Sequence, residues 1–466
     1  MKKILKKIAV ISCTTLFAVS SAACFGNDKE IINAYDIAVK NGFVGTEEEW
    51  LESLKGANGK DAADITIQDA YEAAQANGFE GSFMDFLKEY MQVDVQEDND
   101  TAMIADNIMS VVSIYCGFTK TTIGGILGGS STSNYSAAGS GVIIDLNEEA
   151  GNALIVTNYH VIYDSECDTN THISDSIYLY TYGALNKYST ETGKDEGGDG
   201  IQATYVGGAM DYDIAVLKVE GSELLRTCGA REAKIGNSEK AQVGEKVFAI
   251  GNPDGAGIAV TSGLISVESE YISMVSTDGA NREVSYRVMR TDAAINHGNS
   301  GGALFNTKGE LIGITNAKNA SEDVDNMGYA LPITQVKYLC DNLMDNSGVV
   351  MRAMLGVMVK PTGSKSVLEN GRLNVYEEFI VDETTIAPGA AAYNKLQFGD
   401  QFKKITIIPK GKGNGETITL NRRYQLNDLL LTVRKGDTVI LTVLRDGIEV
   451  DVEIVYDKDA YFTQYK

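Results

Sequence analysis

The chain has 466 residues, 64 of them acidic against 40 basic, for a formal charge of −24 with 44% hydrophobic side chains. That length exceeds what one core can hold and divides into roughly three domains. So large a negative charge repels phosphate backbones and anionic headgroups, which excludes nucleic acid as a partner and excludes membrane attachment by charge alone.

The N-terminus, "MKKILKKIAVISCTTLFAVSSAAC", places four lysines in its first seven residues, then an apolar run, then small residues. This pattern predicts a secretory signal peptide over residues 1–23, and the apolar stretch is short for a spanning helix. Cys24, directly after "SSAA", resembles a bacterial lipoprotein cleavage site, which implies a lipidated N-terminus and a lipid anchor at the outer face of a cell membrane. Ser21 stands where leucine is usual, so ordinary cleavage between small residues is the alternative. Cys116, Cys167, Cys228 and Cys340 follow in the mature chain, and their spacing matches no zinc pattern and specifies no pairing.

Residues 24–100 read as a tether carrying two short helical repeats. "AYDIAVKNGFVGTEEEWLESL" (34–54) aligns with "AYEAAQANGFEGSFMDFLKEY" (70–90), Asn41-Gly42-Phe43 falling on Asn77-Gly78-Phe79 and Trp50 on Phe86. Each repeat predicts a helix, an Asn-Gly turn and a second helix with an aromatic anchor. "GANGKD" has Asp61 where a phosphate loop needs Ser or Thr.

From 101 to 347 the pattern becomes short β-type runs between Gly/Asn/Asp turns, such as "GSGVIID", "NALIVTN", "SIYLYTY", "YDIAVLKV", "KVFAIGN" and "GELIGIT". Many short strands without helical periods predict a mainly β sandwich or barrel. Two polar stretches, 164–175 and 184–200, read as exposed loops. "LPITQVKYLCDNLMDNSG" reads as a closing helix with Gly348 beyond its end. A third unit over 351–458 predicts strands, two short helices ("AAAYNKL" and "LNDLLLTV") and a final hairpin turning at Arg445-Asp446-Gly447.

"INHGNSGGAL" (295–304) sets Gly298, Gly301 and Gly302 around Asn299 and Ser300. Glycine costs conformational entropy, so such a cluster marks backbone that takes positive φ or approaches other chain closely. A serine hydroxyl needs a base to act as nucleophile, and the chain has three histidines. His160 ends the apolar strand of "LIVTNYHVI"; His172 lies in a polar loop; His297 is too near Ser300 to face its hydroxyl. A carboxylate must fix the imidazole, and Asp213 in "YDIAVLKV" is the candidate, with Asp211 its rival. A tight turn through Gly298–Ser300 can aim the amides of Gly298 and Ser300 at one developing oxyanion. The order His, Asp, Ser matches the chymotrypsin arrangement. Metal chemistry has no support: His-Glu-x-x-His is missing, no Cys/His cluster exists, and "SEDVDN" lacks the turn glycine of an EF-hand. No cofactor is implied.

The ordered blocks "GSGVIID", "TNYHVI", "DIAVLKV", "AKIGNSEKAQVGEKVFAIGNPDG", "VTSGLISV", "RTDAAINHGNSGGALFNTKGELIGI" and "MGYALPI" resemble the HtrA (Deg) family of serine proteases across roughly 105–345. The resemblance implies a chymotrypsin-like double β-barrel protease domain followed by a PDZ-like α+β domain. It implies His160, Asp213 and Ser300 as the triad and Gly298 with Ser300 as oxyanion donors. The PDZ-like unit would bind peptide at Met354, Leu355, Gly356 and Val357. Trimers or their multiples, and unfolded proteins or peptides as substrates, follow from the same resemblance. Ala293, Ala294 and Ile295 are expected beside the specificity pocket, and with no acid at its base they predict cleavage after small or medium apolar residues; Asp292 is expected to face elsewhere. His297 departs from the proline usual before Gly-Asn-Ser, the loops at 164–175 and 184–200 are long, and 361–375 are extra. The reading that follows is an endopeptidase acting on unfolded or damaged exported proteins; the alternative is a latent core serving as a surface-tethered peptide-binding scaffold.

Overall fold

The computed structural model describes Thr46, Gln75 and residues 100–123, 130–276, 282–316, 327–382, 384 and 386–465. The signal peptide, Cys24 and nearly all of the two repeats lie outside the described residues. From Asp100 to Lys466 the chain forms one compact unit.

After helix α1 (Asp100–Ile108) come twelve longer strands in two closed barrels. The first is built from β1 (Val111–Ile123), β2 (Ser130–Asn147), β3 (Asn152–Thr157), β8 (Ile214–Val219), β7 (Ile201–Ala209) and β4 (Ser176–Tyr180), in that order round the barrel. The second runs β10 (Ala259–Val275), β11 (Glu283–Thr291), β14 (Gly328–Pro332), β13 (Leu311–Asn316), β12 (Ala303–Asn306) and β9 (Lys246–Gly251). Every pairing within the barrels is antiparallel.

The continuous apolar runs have a physical cause. Side chains alternate across a strand, so a strand apolar throughout must bury both faces. In β8, Ala215, Leu217 and Val219 fill the first barrel while Ile214 and Val216 join a core shared between the barrels. In β12, Ala303 and Phe305 enter that shared core and Leu304 points into the second barrel. Helix α3 (Ile333–Asp345) adds Val336, Leu339 and Leu343 to the shared core, at helical spacing. It stops at Ser347 and Gly348, both at positive φ, where the Gly348 N–H bonds back to the Leu343 carbonyl.

The stretch 184–200 contains a small hairpin, β5 (Tyr188–Ser189) with β6 (Lys194–Asp195). It is held to the first barrel by Tyr188 stacked on Tyr115 and by the Tyr180 hydroxyl donating to Asp195 at 2.8 Å.

Beyond α3, β15 (Val350–Ala353) pairs with the last strand, β22 (Phe462–Tyr465). Between them lies a sheet ordered β16 (Val359–Glu369), β17 (Arg372–Val381), β18 (Gln401–Ile408), β20 (Thr438–Arg445), β21 (Ile448–Val455), with β19 (Glu416–Thr419) on β18. Helix α4 (Arg423–Leu429) covers its core. The extra residues 361–375 extend the β16–β17 hairpin, which turns at Asn370-Gly371, both at positive φ. The helix expected over "AAAYNKL" is instead a series of turns. Gly389 at φ 100°, just before that stretch, and Asn394 at φ 58°, within it, take left-handed conformations, and Asn394 prevents a continuous helix.

Strand β11 joins the second barrel to this C-terminal sheet. Arg287, the largest fully buried side chain among the described residues, places Nη2 2.6 Å from Asp428 on α4 and 3.0 Å from Glu239. Its guanidinium lies 4.0 Å over the Tyr424 ring, and Gln335 of α3 donates to the other Asp428 oxygen at 2.8 Å. Burial outweighs the attraction of Arg287 and pushes the Asp428 carboxyl up to about 6.

Candidate active site

His160 lies in a one-turn helix, α2 (Tyr159–Ile162), directly after β3. Tyr159, Val161 and Ile162 are buried, and this anchoring leaves the imidazole at the cleft, 19% exposed. Asp213 ends a 3₁₀ turn (Met210–Tyr212) in the left-handed region, φ 52°, just before β8. There its carboxylate meets His160 twice: Oδ2 is 2.7 Å from Nδ1, and Oδ1 accepts the His160 backbone N–H at 3.0 Å. The carboxylate accepts and does not donate, so Nδ1 carries a proton and faces Asp213, which leaves Nε2 on the other side of the ring. Asn158 donates to the Asp213 carbonyl at 2.9 Å, and Asn316 of β13 donates to Oδ2 at 2.9 Å.

Asp211, the rival carboxylate, is 2.6 Å from Arg282. His172 is held in its own loop, Nδ1 against the Cys167 carbonyl at 3.1 Å and ring edge-on to Tyr163.

Ser300 comes from the second barrel, on the turn between β11 and β12, and is 5% exposed. The glycines around it answer to close approach. Gly298 has φ 87°, and a Cβ there would collide with the Asn252 carbonyl oxygen. Gly301 has φ 82°, and its Cβ would collide with the Ser140 carbonyl oxygen and the Thr157 hydroxyl. At Gly302 a Cβ would come within 2.5 Å of the Ile250 carbonyl oxygen. The His297 carbonyl accepts the Asp254 N–H at 2.8 Å, so the Gly298 N–H, on the opposite edge of the same trans peptide, points away from residue 254. The His297 side chain itself is exposed.

Ser140 locks the two barrels at this point, and the sequence reading passed over it. Its N–H donates to the Ser300 carbonyl at 2.8 Å and its hydroxyl to the Gly298 carbonyl at 2.7 Å. The same hydroxyl accepts the Asn252 N–H at 2.8 Å. The available signals were "GSG" at a strand and "GNPDG" after another; the partners are more than 100 residues apart, so spacing could not pair them.

Around the expected pocket, Ala293 and Ile295 are buried in the core of the second barrel, with Ile295 against Gly328, whereas Ala294 is exposed. Asp292 accepts the Leu264 N–H at 2.6 Å along the barrel wall. In the C-terminal unit, Met354–Val357 precede edge strand β16 without regular structure. Met354 donates its N–H to the Tyr461 carbonyl at 2.8 Å, the buried Leu355 accepts from Ala392 at 3.0 Å, and Gly356 takes φ 76° against Ala390. Among the described residues no cluster of His, Cys, Asp and Glu could hold a metal ion. The four described cysteines are free thiols, with burial pushing Cys340 up to about 12.

Comparison with known proteins places this geometry. Residues 139–314, which hold His160, Asp213 and Ser300, match the trypsin-like peptidase domain family. The chain is 34% identical to the serine protease Do-like HtrB of Bacillus subtilis (strain 168), over 76% of this chain and 72% of that protein. It is 29% identical to the serine protease Do-like HtrA of the same organism, over 78% of this chain and 74% of the relative. The crystal structure of the serine endoprotease from Yersinia pestis aligns with 78% of this chain and 98% of its own, at 23% identity and a TM-score of 0.42. With two closed antiparallel barrels, a histidine–aspartate pair from one and a glycine-bound serine from the other, the chain belongs to the HtrA family of serine proteases.

Proposed function

We propose that His160, Asp213 and Ser300 form the catalytic triad of this serine endopeptidase. His160 Nε2 takes the Ser300 hydroxyl proton as Oγ attacks the substrate carbonyl, and Asp213 stabilises the imidazolium that results. The N–H groups of Gly298 and Ser300 donate to the oxyanion, His160 protonates the departing amine, and water repeats the cycle on the acyl-enzyme. The observation that carries this reading is the 2.7 Å hydrogen bond from His160 Nδ1 to Asp213, which leaves Nε2 as base.

Substrates on this reading are unfolded or damaged exported proteins, cut after small or medium apolar residues beside Ala294 and Ile295. The C-terminal unit acts as a PDZ-like domain that takes peptide along Met354–Val357 and edge strand β16. The protein is exported, anchored through a lipid on Cys24, and assembles as a homotrimer or a higher multiple. The test is hydrolysis of an unfolded protein by the mature enzyme and by Ser300→Ala, with labelling by a fluorophosphonate that reacts with activated serine. Wild type cuts and labels; Ser300→Ala does neither. Hydrolysis by the variant at the wild-type rate overturns the assignment.

A further inference from the structure

In β1, Ile114, Cys116 and Phe118 fill the first barrel, so the alternate residues Tyr115 and Gly117 face outward. The β5–β6 hairpin of the long 184–200 stretch covers that outer face. Gly117 leaves the room it needs, because a Cβ there would stand 2.6 Å from the Tyr188 hydroxyl. Polar bonds fasten the hairpin to the neighbouring strands. Asn134 of β2 donates to the Glu191 carbonyl at 2.7 Å, Ser136 and Thr190 share a hydrogen bond at 3.0 Å, and Tyr180 of β4 donates to Asp195 at 2.8 Å. The Tyr115 ring is thereby clasped by two others, stacked on Tyr188 at an interplanar angle of 28° and met edge-on by Tyr180 at 88°, each with 5.5 Å between centroids.

So held, Tyr115 donates its hydroxyl proton to the Gly255 carbonyl at 2.7 Å. Gly255 ends the tight turn Pro253–Gly255 after β9, where Asp254 at φ 52° and Gly255 at φ 69° both stand in the left-handed region. Asp254 carries a Cβ, so that backbone is disfavoured and persists only where its surroundings hold it. The Asp254 N–H donates to the His297 carbonyl at 2.8 Å, and a planar peptide held by its carbonyl is held by its N–H as well. That N–H belongs to Gly298. One line of contacts runs from Tyr188 through Tyr115, Gly255 and Asp254 to the Gly298 amide.

We infer that the β5–β6 hairpin is a positioning element for the oxyanion turn, acting through the Tyr115 hydroxyl. A phenol free to turn about its side-chain bonds would lose rotamer entropy each time it met the Gly255 carbonyl; the clasp of Tyr180 and Tyr188 removes that freedom beforehand. The long 184–200 stretch of the first barrel thus steadies a strained turn of the second. This inference rests on the oxyanion reading of Gly298 and Ser300, because a steadied amide matters only if it receives the developing charge.

The test measures kcat and KM for a peptide that the wild type cuts, and Ki for a trifluoromethyl ketone of the same sequence. Ser300 Oγ adds to the ketone carbon, its proton passes to His160, and the carbonyl electron pair stays on oxygen as an oxyanion. The proteins are full-length mature Tyr115→Phe, Tyr188→Ala, Tyr188→Phe and the double variant Tyr115→Phe/Tyr188→Ala, with thermal unfolding of each to check its fold. Tyr115→Phe deletes only the hydroxyl and is expected to lower kcat by about ten- to thirtyfold, less than the hundredfold or more that follows loss of an oxyanion donor itself, with KM nearly unchanged. Ki for the ketone rises by the same factor, since it carries the charge of the transition state. Tyr188→Ala lowers kcat by about three- to tenfold but adds nothing to Tyr115→Phe, and Tyr188→Phe keeps the ring and the wild-type kcat. If Tyr188→Ala fails to fold, Tyr115→Phe, which keeps every ring, decides. An unchanged kcat and Ki in Tyr115→Phe overturns the inference. A raised KM at constant kcat in Tyr188→Ala means that the hairpin touches substrate, and overturns the positioning role. Losses that multiply in the double variant overturn the route through Tyr115. Ser300→Ala is run beside these variants: if it remains active the reading of the site falls, and this inference with it, whereas an inactive Ser300→Ala beside a wild-type Tyr115→Phe sinks this inference alone.

Discussion

Asp428→Asn tests the joint between the protease barrels and the C-terminal sheet, and its sign follows from counting charge. Arg287 is one buried cation with two carboxylates upon it, Asp428 at 2.6 Å and Glu239 at 3.0 Å. Burial, with help from Glu239, raises the Asp428 pKa to about 6 from 3.8 for the free side chain, against the lowering by Arg287, the Gln335 hydrogen bond and Arg352. In the folded protein Asp428 therefore holds its proton at pH values where the unfolded chain has released it. A folded state that binds more protons loses stability as pH rises, here between about pH 4 and pH 6, with a plateau above. A shift of this size corresponds to about 3 kcal/mol. Asparagine keeps the shape, presents its oxygen to Arg287 and its NH₂ to Gln335, whose amide can turn to accept it, but does not titrate. The difference in unfolding free energy, variant minus wild type, should thus move in the variant's favour by about 3 kcal/mol between pH 3 and pH 7. Urea unfolding followed by far-UV circular dichroism, in closely spaced buffers, measures it, and taking the difference cancels the other titrations. A difference that stays flat, or moves toward wild type as pH rises, would mean that Arg287 outweighs burial and that the pair is ionised throughout.

Asp213→Asn should lower kcat by about 10⁴, the loss known for the template triad when the imidazole is held in the wrong tautomer. Asp211→Asn, whose carboxylate faces Arg282, should leave kcat within a few fold, and a loss like that of Asp213→Asn would move the carboxylate role. Gly301→Ala must place a Cβ at φ 82° against the Ser140 carbonyl and Thr157 hydroxyl, so fluorophosphonate labelling of Ser300 should fail even where the barrels still fold. Cleavage-site profiling on a denatured protein mixture should give Val, Ala, Ile, Leu and Met at the cut position, with Lys or Arg dominance refuting the apolar pocket. Cys24→Ala should release the protein from the membrane fraction, and a wild type that is already released refutes the anchor.

The elements were legible wherever one short stretch carried its own reason. Strands β3, β8 and β13 announced themselves as apolar runs between turn residues, and the glycines of 298–302 announced a backbone under close approach. His160 and Asp213 were legible because each borders such a run. What stayed hidden was held by partners distant in sequence. Arg287 in "VSYRVMRT" looks like the solvated position of an alternating strand, and Asp428 in "LNDLLL" like the polar face of a helix; only packing brings them together, 141 residues apart. Ser140 and Asn316 are small polar residues of ordinary strands until the second barrel is set against the first. The turns over "AAAYNKL" failed as a helix for a local reason, since Asn394 takes a conformation that composition alone does not force.

The bracing of the cleft runs in both directions between the barrels. Ser140 reaches from the first barrel to hold the carbonyls of Gly298 and Ser300, while Asn316 reaches from the second to hold the Asp213 carboxylate. Asp213 stands in a left-handed conformation that costs about 1–2 kcal/mol for a residue with a Cβ. That backbone turns the carboxylate back under α2, where it accepts both the backbone N–H and Nδ1 of His160. Hydrogen bonds to an ionised carboxylate contribute about 1.5–3 kcal/mol each, so these contacts outweigh the strain. Asn158 fixes the carbonyl of the same residue, which keeps the strained turn from relaxing. Because the serine turn leans on the first barrel and the carboxylate on the second, separating the barrels would disorder the Ser300 turn and the Asp213 carboxylate together. The proposed triad is therefore a property of the barrel interface, and the shared core of β8, β12 and α3 is what holds it.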